Sequence, residues 1–198
     1  MKIWTFLLTL IGSCVICSPV MAHPHHPISS SSGFMEGLSH PWFGLDHLLA
    51  MVAVGMLSVQ MGERSIWMLP VSFLSCLTLG GILGLSGFGI LNIELGIALS
   101  VVLLGTALMS QVRFPLVATV IGVGCMGLIH GHAHGTEMPM SAEPWLYMLG
   151  FSMATLLLHA GGILAGKWLS GNKTRLVGLK LSGAAISCAG IVLLLRVI

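Results

Sequence analysis

Long apolar runs separated by short polar connections dominate the chain from about residue 40 onward. Each run is close to the roughly 20 residues that an α-helix needs to cross the hydrocarbon core of a bilayer. The pattern therefore predicts an all-α fold, a polytopic membrane bundle of six transmembrane helices within residues 40–198. The predicted spans cover about residues 43–61, 66–87, 90–110, 114–130, 144–166 and 176–195.

Composition supports a membrane protein and argues against other classes. Charged residues make up 7% of the 198 residues and apolar residues 56%, whereas soluble domains are about one-quarter charged. The net charge of +2 is too small and too dispersed to indicate a nucleic-acid partner. The lipid bilayer is the first expected partner, and the sequence leaves the oligomeric state open, a homo-oligomer included.

The first 22 residues have the features of a signal peptide. Lys2 precedes an apolar stretch, Pro19 breaks the helix, and Ala22 suits a signal-peptidase site, so we expect cleavage after Ala22. Two alternatives stay open: a lipoprotein box with Cys14 lipidated, and an uncleaved seventh helix. Residues 23–39 are Pro- and Ser-rich and too short of apolar residues to fold alone, which predicts an extracytoplasmic tail.

Basic residues predict the orientation, because short cytoplasmic loops are enriched in Lys and Arg. Such residues follow the first, third and fifth predicted spans, whereas the connections after the second and fourth have none. We therefore expect a multi-pass protein of the bacterial cytoplasmic membrane whose mature N-terminus is extracytoplasmic, with Arg196 as the one exception to the pattern. The basic residues that mark the cytoplasmic side are Arg64, Arg113, Lys167, Lys173, Arg175 and Lys180.

The first span opens with ionisable residues, in the stretch HPWFGLDH. An ionisable group in hydrocarbon costs about 2.5 kcal/mol or more, so such groups normally mark a path or a site. If the helix starts near Pro41, a favoured first-turn residue, His40 and His47 share a face. Asp46 then lies about 100° from His47, and it could ligate a first-row divalent metal with the imidazoles or hold a ring N–H. A capping histidine beside an interfacial aspartate is the alternative.

A second cluster, HGHAHGTE, ends the fourth span. His130, His134 and Glu137 form one stripe on a continuing helix, whereas His132 points away. Histidines four residues apart are the usual way for one helix to offer two ligands to one ion. The two glycines among them weaken the helix, so its end could be unwound, as ion sites in transporters often are. A histidine-rich loop that binds metal only incidentally is the alternative.

Other ionisable residues are weaker candidates. Glu94 opens the third span without a basic neighbour, so we expect it to point into the bundle. His159 lies about 22 Å along the fifth span, and it is as readily a helix-to-helix hydrogen bonder as a ligand or relay. The tail adds His23, His25 and His26, which could form a loose Cu(II) or Ni(II) site or remain a flexible exposed segment.

Glycine-rich stretches occur in two of the spans. LGGILGLSG and AGGILAG contain small residues at four-residue spacing, which lets helix backbones approach closely where lipid supplies no hydrophobic drive. These glycines predict close helix packing and no chemistry.

The two histidine motifs resemble those of a known family. HPWFGLDHLLAMVAVGM is similar to the first-helix signature of the HupE/UreJ family of nickel permeases, and HGHAHGTE resembles the second signature, on the fourth helix. The resemblance implies uptake of Ni²⁺ for hydrogenase or urease maturation, with Co²⁺ or other ions in some members. We expect no prosthetic group, since the metal is the transported ion. The resemblance implies metal-handling roles for His40, Asp46, His47, His134 and Glu137, with Glu94 at a further acidic position.

Two function classes compete. A permease would capture Ni²⁺, or alternatively Co²⁺, Cu or Zn²⁺, and pass it along the bundle interior; no P-loop is present, so the chain does not itself use ATP. An intramembrane zinc hydrolase would use His47, His130 and His134 as ligands, with Glu94 or Glu137 as general base. The chain has no HExxH, the commonest zinc protease pattern. We therefore expect a permease and not an enzyme.

Overall fold

A computed structural model describes residues 32–139 and 142–198. Within these residues the chain forms seven α-helices joined by short connections, which confirms the all-α prediction. The helices are α1 (Ser32–Phe43), α2 (Leu45–Met61), α3 (Ser65–Leu85), α4 (Ile93–Ser110), α5 (Leu116–Glu137), α6 (Pro144–Leu169) and α7 (Lys173–Val197). The predicted signal peptide, Cys14 and the tail histidines His23, His25 and His26 lie outside the described residues.

The helices α3 to α7 are each long and apolar enough to cross a membrane. The pair α1 and α2 passes the same test together, but the two helices are bent by 80° where they meet, as in a broken span or a re-entrant loop. The described residues thus form a membrane bundle with five spans, or six if the bent pair counts as one. The predicted spans agree with these helices to within a few residues, except that α5 continues to Glu137.

The segment before the first predicted span differs from expectation. Residues 32–39, predicted as the end of a tail, belong to α1, which packs along α6. The reason is close backbone contact: Gly37 is buried, and a Cβ there would collide with the backbone of Tyr147 on α6. Small residues let α1 pack without a strongly apolar surface.

The predicted start of a single helix near Pro41 is wrong. Pro41 lies inside α1, and the helical path breaks at Gly44, whose φ of −85° and ψ of 107° are extended. His40 and His47 therefore belong to two different helices and do not share one helix face. The 80° bend decides how the two imidazoles meet.

Glycines set the closest helix contacts, as the small-residue spacing predicts. Gly80 of α3 lies against the Leu128 carbonyl of α5, and Gly162 of α6 lies against α2 beside Gly55. In both pairs, a Cβ on the glycine would overlap backbone atoms of the neighbouring helix. These contacts fix the helices that carry the histidines relative to one another.

The bundle has two chemically distinct ends. Basic residues lie in or directly beside the connections α2–α3, α4–α5 and α6–α7, and we call this the basic end; the opposite end, where α2 begins and α5 stops, is the histidine end. Exposed tryptophans occur at both, Trp42 and Trp145 at the histidine end and Trp67 and Trp168 at the basic end. Tryptophan at two levels is typical of the two interfaces of a membrane.

Candidate metal site

Four histidine side chains from three helices meet at the histidine end, and we call them the histidine cluster. The ring centroid of His47 lies 4.2 Å from that of His134 and 5.1 Å from that of His130. The ring of His40 lies 4.7 Å from that of His134 and 6.0 Å from that of His47. The two sequence motifs are therefore in contact with each other.

His47 is oriented by its neighbour in sequence. Its Nδ1 lies 2.5 Å from Asp46 Oδ1, and the same oxygen accepts the backbone N–H of His47 at 2.8 Å. Because a carboxylate only accepts, the imidazole N–H sits on Nδ1 and a neutral ring keeps its lone pair on Nε2. Nε2 is buried and has no hydrogen-bond partner among the described residues. A carboxylate that holds one ring nitrogen while the other faces a metal is a common arrangement in metalloproteins.

His130 repeats this arrangement with a backbone acceptor. Its Nδ1 donates to the Met126 carbonyl at 2.9 Å, which leaves the lone pair on Nε2. The side chain is fully buried, and Nε2 has no partner in the described part of the chain. Leaving a buried polar group unpaired costs about 1–3 kcal/mol, so a ligand for this nitrogen would relieve a real cost.

α6 closes the other side of the histidine cluster. The Tyr147 hydroxyl lies 3.1 Å from His40 Nδ1, and the ring of Phe151 packs 3.9 Å from that of His134. Both ring nitrogens of His134 are buried, and neither has a partner among the residues that the structure describes. The cluster is therefore a largely buried site with aromatic walls, and several of its imidazole nitrogens have no partner among the described residues.

The α5 part of the site depends on glycines, though not by unwinding. The helix continues through the whole motif to Glu137, so the possible unwound end is not observed. Gly131 and Gly135 are buried against α3, where a Cβ would collide with the carbonyls of Leu77 and Gly81. The glycines bring α5 close to α3 while His130 and His134, one turn apart, face the cluster.

The ring separations suit one transition-metal ion. A first-row metal binds imidazole nitrogen at about 2.0–2.1 Å, so two imidazoles on one ion have centroids about 4.5–5.2 Å apart for ligand angles of 90–110°. The separations of 4.2 to 6.0 Å bracket that range. In the described segments, however, no three His, Cys, Asp or Glu side chains already converge as ligands of one ion. The side chains would therefore have to move before their nitrogens could converge on one ion.

Comparison with known proteins identifies the chain. Residues 11–193 match the model of the family described as HupE / UreJ protein. The chain belongs to the HupE/UreJ family. It is also 38% identical to Protein HupE of Rhizobium leguminosarum bv. viciae over 176 residues, which cover 89% of this chain and 91% of the relative. No solved structure gives a significant match.

Two carboxylates of this HupE/UreJ protein that were predicted to belong to the metal site have exposed side chains. Glu94, in the first turn of α4, has an exposed side chain, so the prediction that it points into the bundle is wrong. Glu137 is the last residue of α5 and is also exposed. Both lie at the histidine end without joining the cluster walls. The physical cause is the same for both, since a terminal helical turn can expose a charged group that a mid-span position cannot.

His132 and His159 lie apart from the cluster. His132 points away, as the spacing predicts, and its Nε2 donates to the Phe88 carbonyl in the α3–α4 connection. His159 is buried in α6, where its ring packs 5.3 Å from that of Phe73. Phe73 also lies 5.6 Å from His130, so one aromatic ring packs near both the deeper histidine and the cluster.

Sequence reasoning did not identify several residues around the cluster. Tyr147, Phe151 and Phe73 are apolar or aromatic positions in long apolar runs, so nothing local distinguishes them from ordinary core. Glu36, with one carboxylate oxygen buried and no partner for it among the described residues, lies one turn before His40 on α1. Its spacing of four residues from His40 was the one available signal.

Proposed function

We propose that the protein is a permease that takes up a divalent transition-metal ion, Ni²⁺ first, across the bacterial cytoplasmic membrane to supply hydrogenase or urease maturation. Co²⁺, Cu and Zn²⁺ are the alternative cargoes, since neutral imidazole suits all of these metals. Membership of the HupE/UreJ family supports the accessory role. The histidine cluster supports the metal.

The observation that carries the proposal is the pair of oriented imidazoles. His47 and His130 each have Nδ1 engaged, by Asp46 and by a backbone carbonyl, and each has a buried Nε2 without a partner in the described residues. A purely structural role would favour hydrogen-bonded or apolar side chains here, because unpaired buried nitrogens are costly. A transported ion would use both lone pairs during its passage.

We further propose that the histidine end faces the outside of the cell. The basic residues at the opposite end support this orientation through the enrichment of Lys and Arg in cytoplasmic loops. The ion would then meet the cluster first and leave at the basic end. The carboxylates at the outer face, Glu94 and Glu137, would attract the cation toward the cluster.

The hydrolase alternative has no observation in its favour. Its two candidate general bases, Glu94 and Glu137, are both exposed at helix ends. An apolar cavity of about 330 Å³ does lie between α2, α4 and α5, but no histidine lines it, and its walls include Leu57, Leu104, Phe114 and Met126. A lipid-sized cleft and the histidine cluster are therefore separate features.

The function is tested with purified protein in proteoliposomes, by comparing initial uptake of Ni²⁺, Co²⁺, Zn²⁺ and Cu²⁺ at equal free concentrations. We expect saturable uptake of Ni²⁺ that His47→Leu and His134→Leu abolish while both variants keep the wild-type melting temperature. Leu157→Ala is the control, since Leu157 is exposed on α6. Wild-type vesicles that take up none of the four metals above empty vesicles would reject the proposal.

The orientation needs a separate experiment. In a background without cysteine, Glu143→Cys at the histidine end and Ser170→Cys at the basic end are both exposed positions. Intact cells treated with a membrane-impermeant thiol reagent should label the first and spare the second. The opposite labelling pattern would make the cluster an exit.

A further inference from the structure

His159 is a buried imidazole that makes no hydrogen bond within the described residues. Its side chain is 1% exposed, and both Nδ1 and Nε2 lack a partner there. The sequence left two roles open, a hydrogen bond between helices or an ion ligand. The first role requires a partner for the ring, and the neighbouring helices in the described segments supply none.

The surroundings of His159 are apolar, so an apolar side chain would suit this position better if the role of the residue were packing alone. The ring of Phe73 lies edge-on at 5.3 Å, and α2 comes close enough that Gly55 contacts the His159 backbone. An apolar side chain such as leucine would fill this space without two unpaired nitrogens, whose burial is unfavourable. The buried imidazole therefore makes the fold without a bound ion less stable than an apolar side chain would.

Position connects His159 to the histidine cluster. The ring of Phe73 packs near both histidines, with its centroid 5.6 Å from that of His130 and 5.3 Å from that of His159. Thr155, one turn before His159 on α6, is fully buried, and its hydroxyl donates to the Phe151 carbonyl, so its oxygen lone pairs stay available. His159 and Thr155 thus offer polar atoms on the basic-end side of the cluster.

We propose that His159 is an inner binding station for the transported divalent cation, which reaches it from His130 past Phe73; this rests on the proposed function. The station provides one imidazole and, one turn away, Thr155 Oγ1. The ion would keep part of its hydration shell while it is bound there.

A single imidazole suits an inner station because passage needs binding that is strong enough to enter and weak enough to leave. The histidine cluster, with four imidazoles, favours capture. A deeper site with fewer ligands favours release toward the basic end. Without such a stop, the ion would cross the basic-end half of the bundle without meeting a buried imidazole in the described residues, at the cost that charges incur in hydrocarbon.

The test compares His159→Leu with wild type in binding, stability and uptake of Ni²⁺. We expect the high-affinity binding measured by calorimetry to stay within about twofold, and the melting temperature to stay equal or rise, because an unpaired buried group is removed. Maximal uptake into proteoliposomes should fall about tenfold or more, a change of at least about 1.4 kcal/mol in the barrier. Leu157→Ala, on the exposed side of the same helix turn, is the matched control with normal uptake.

His159→Cys provides a second variant, because a thiolate also binds metal. It should restore part of the uptake that His159→Leu loses and shift preference toward Zn²⁺ over Ni²⁺, since thiolate is the softer ligand. Wild-type uptake by His159→Leu would overturn the inner station and leave the proposed function intact. Lowered stability with equal loss of binding and uptake in both variants would make His159 structural and would also overturn it. Absence of uptake by wild type would reject the proposed function itself.

Discussion

The two sequence motifs build one histidine cluster in two different ways. On α5, His130 and His134 come from a continuous helix, one turn apart. In the first motif, His40 and His47 come from two helices that meet at 80° around Gly44. The relative position of two side chains on a continuous helix follows from 3.6 residues per turn. Across a break, it depends on the tertiary contacts that fix the angle between the two helices.

The supports of the two motifs differ in the same way. The α5 pair depends on the backbone, because the Met126 carbonyl orients His130 and a glycine contact with α3 holds the helix. The first motif depends on side chains, Asp46 for His47 and the Tyr147 hydroxyl for His40. Substitutions of these supports should therefore damage the fold on the α5 side and the orientation of the ligands on the α1–α2 side.

Gly131→Leu should have the largest effect. A Cβ at residue 131 would collide with the backbone of Leu77 on α3, which cannot move aside as a flexible side chain can. Overpacking of this kind costs about 1–3 kcal/mol or more, so we expect little folded protein in membranes. Gly161→Leu is the matched control, since a Cβ at Gly161 meets nothing within 4 Å. A monodisperse Gly131→Leu protein with wild-type melting temperature would contradict the close α3–α5 contact.

Acidic pH should weaken metal binding steeply and in proportion to the number of imidazoles that bind together. A ligating imidazole must be neutral, and its ordinary pKa is near 6.5, so protons compete below that value and not above it. A histidine that keeps this ordinary pKa costs about tenfold in affinity between pH 7.5 and 5.5, and burial, which disfavours the charged imidazole, moves the loss to lower pH. Calorimetric titration with Ni²⁺ across this range measures the slope. The titration is extended well below the ordinary imidazole pKa, because burial lowers that pKa. A slope of one proton would mean that the two motifs do not bind the ion jointly, and a profile that stays flat over the whole extended range would remove imidazoles from the site.

Asp46→Asn should weaken metal binding about 10–100-fold, the usual effect of losing a carboxylate that orients a metal-binding histidine. The fold should survive, because Asp46 is part-exposed at the start of α2. Glu143→Gln, an exposed carboxylate at the same end, is the control and should bind normally. Equal affinities for Asp46→Asn and wild type would show that His47 needs no side-chain support. The proposed difference between the supports of the two motifs would then be wrong.

Gly44→Ala should have the smallest effect of the four. The backbone at Gly44 suits alanine, but the new Cβ would lie 3.0 Å from His47 Nδ1 and 3.1 Å from Asp46 Oδ1. We expect the pair to shift by a few tenths of an ångström and affinity to fall about three- to tenfold, roughly 1 kcal/mol. Melting temperature should not change. Gly89→Ala, where a Cβ meets nothing within 4 Å, is the control for both measurements.

Much of the fold could be predicted from the sequence because the membrane imposes a length on each apolar run. The spans and the close glycine contacts follow from local spacing. The roles of His40, Asp46, His47, His130, His134, Glu94 and Glu137 toward a metal stay predictions. So do those of His132 and His159, and of the tail histidines outside the described residues.

The rest depends on contacts between residues distant in sequence. The helix α1 could not be predicted from the composition of residues 32–39, because Gly37 is buried by α6, more than a hundred residues later. The role of Tyr147 beside His40 is hidden for the same reason. The exposure of Glu94 was missed because the argument from bilayer cost applies to the middle of a span and not to its first turn.

Because His159 lies deep in the bundle, an ion that moves to the proposed inner station would cross part of the membrane potential. Eight residues of α6 separate Phe151, which packs on the histidine cluster, from His159, a rise of about 12 Å or roughly 40% of a 30 Å hydrocarbon core. A doubly charged ion that makes this step crosses a similar share of the membrane potential. At about 2.3 kcal/mol per charge per 100 mV, the step gains about 1.8 kcal/mol for each 100 mV, inside negative. An energised membrane would thus draw the ion inward even though the chain contains no nucleotide-binding loop.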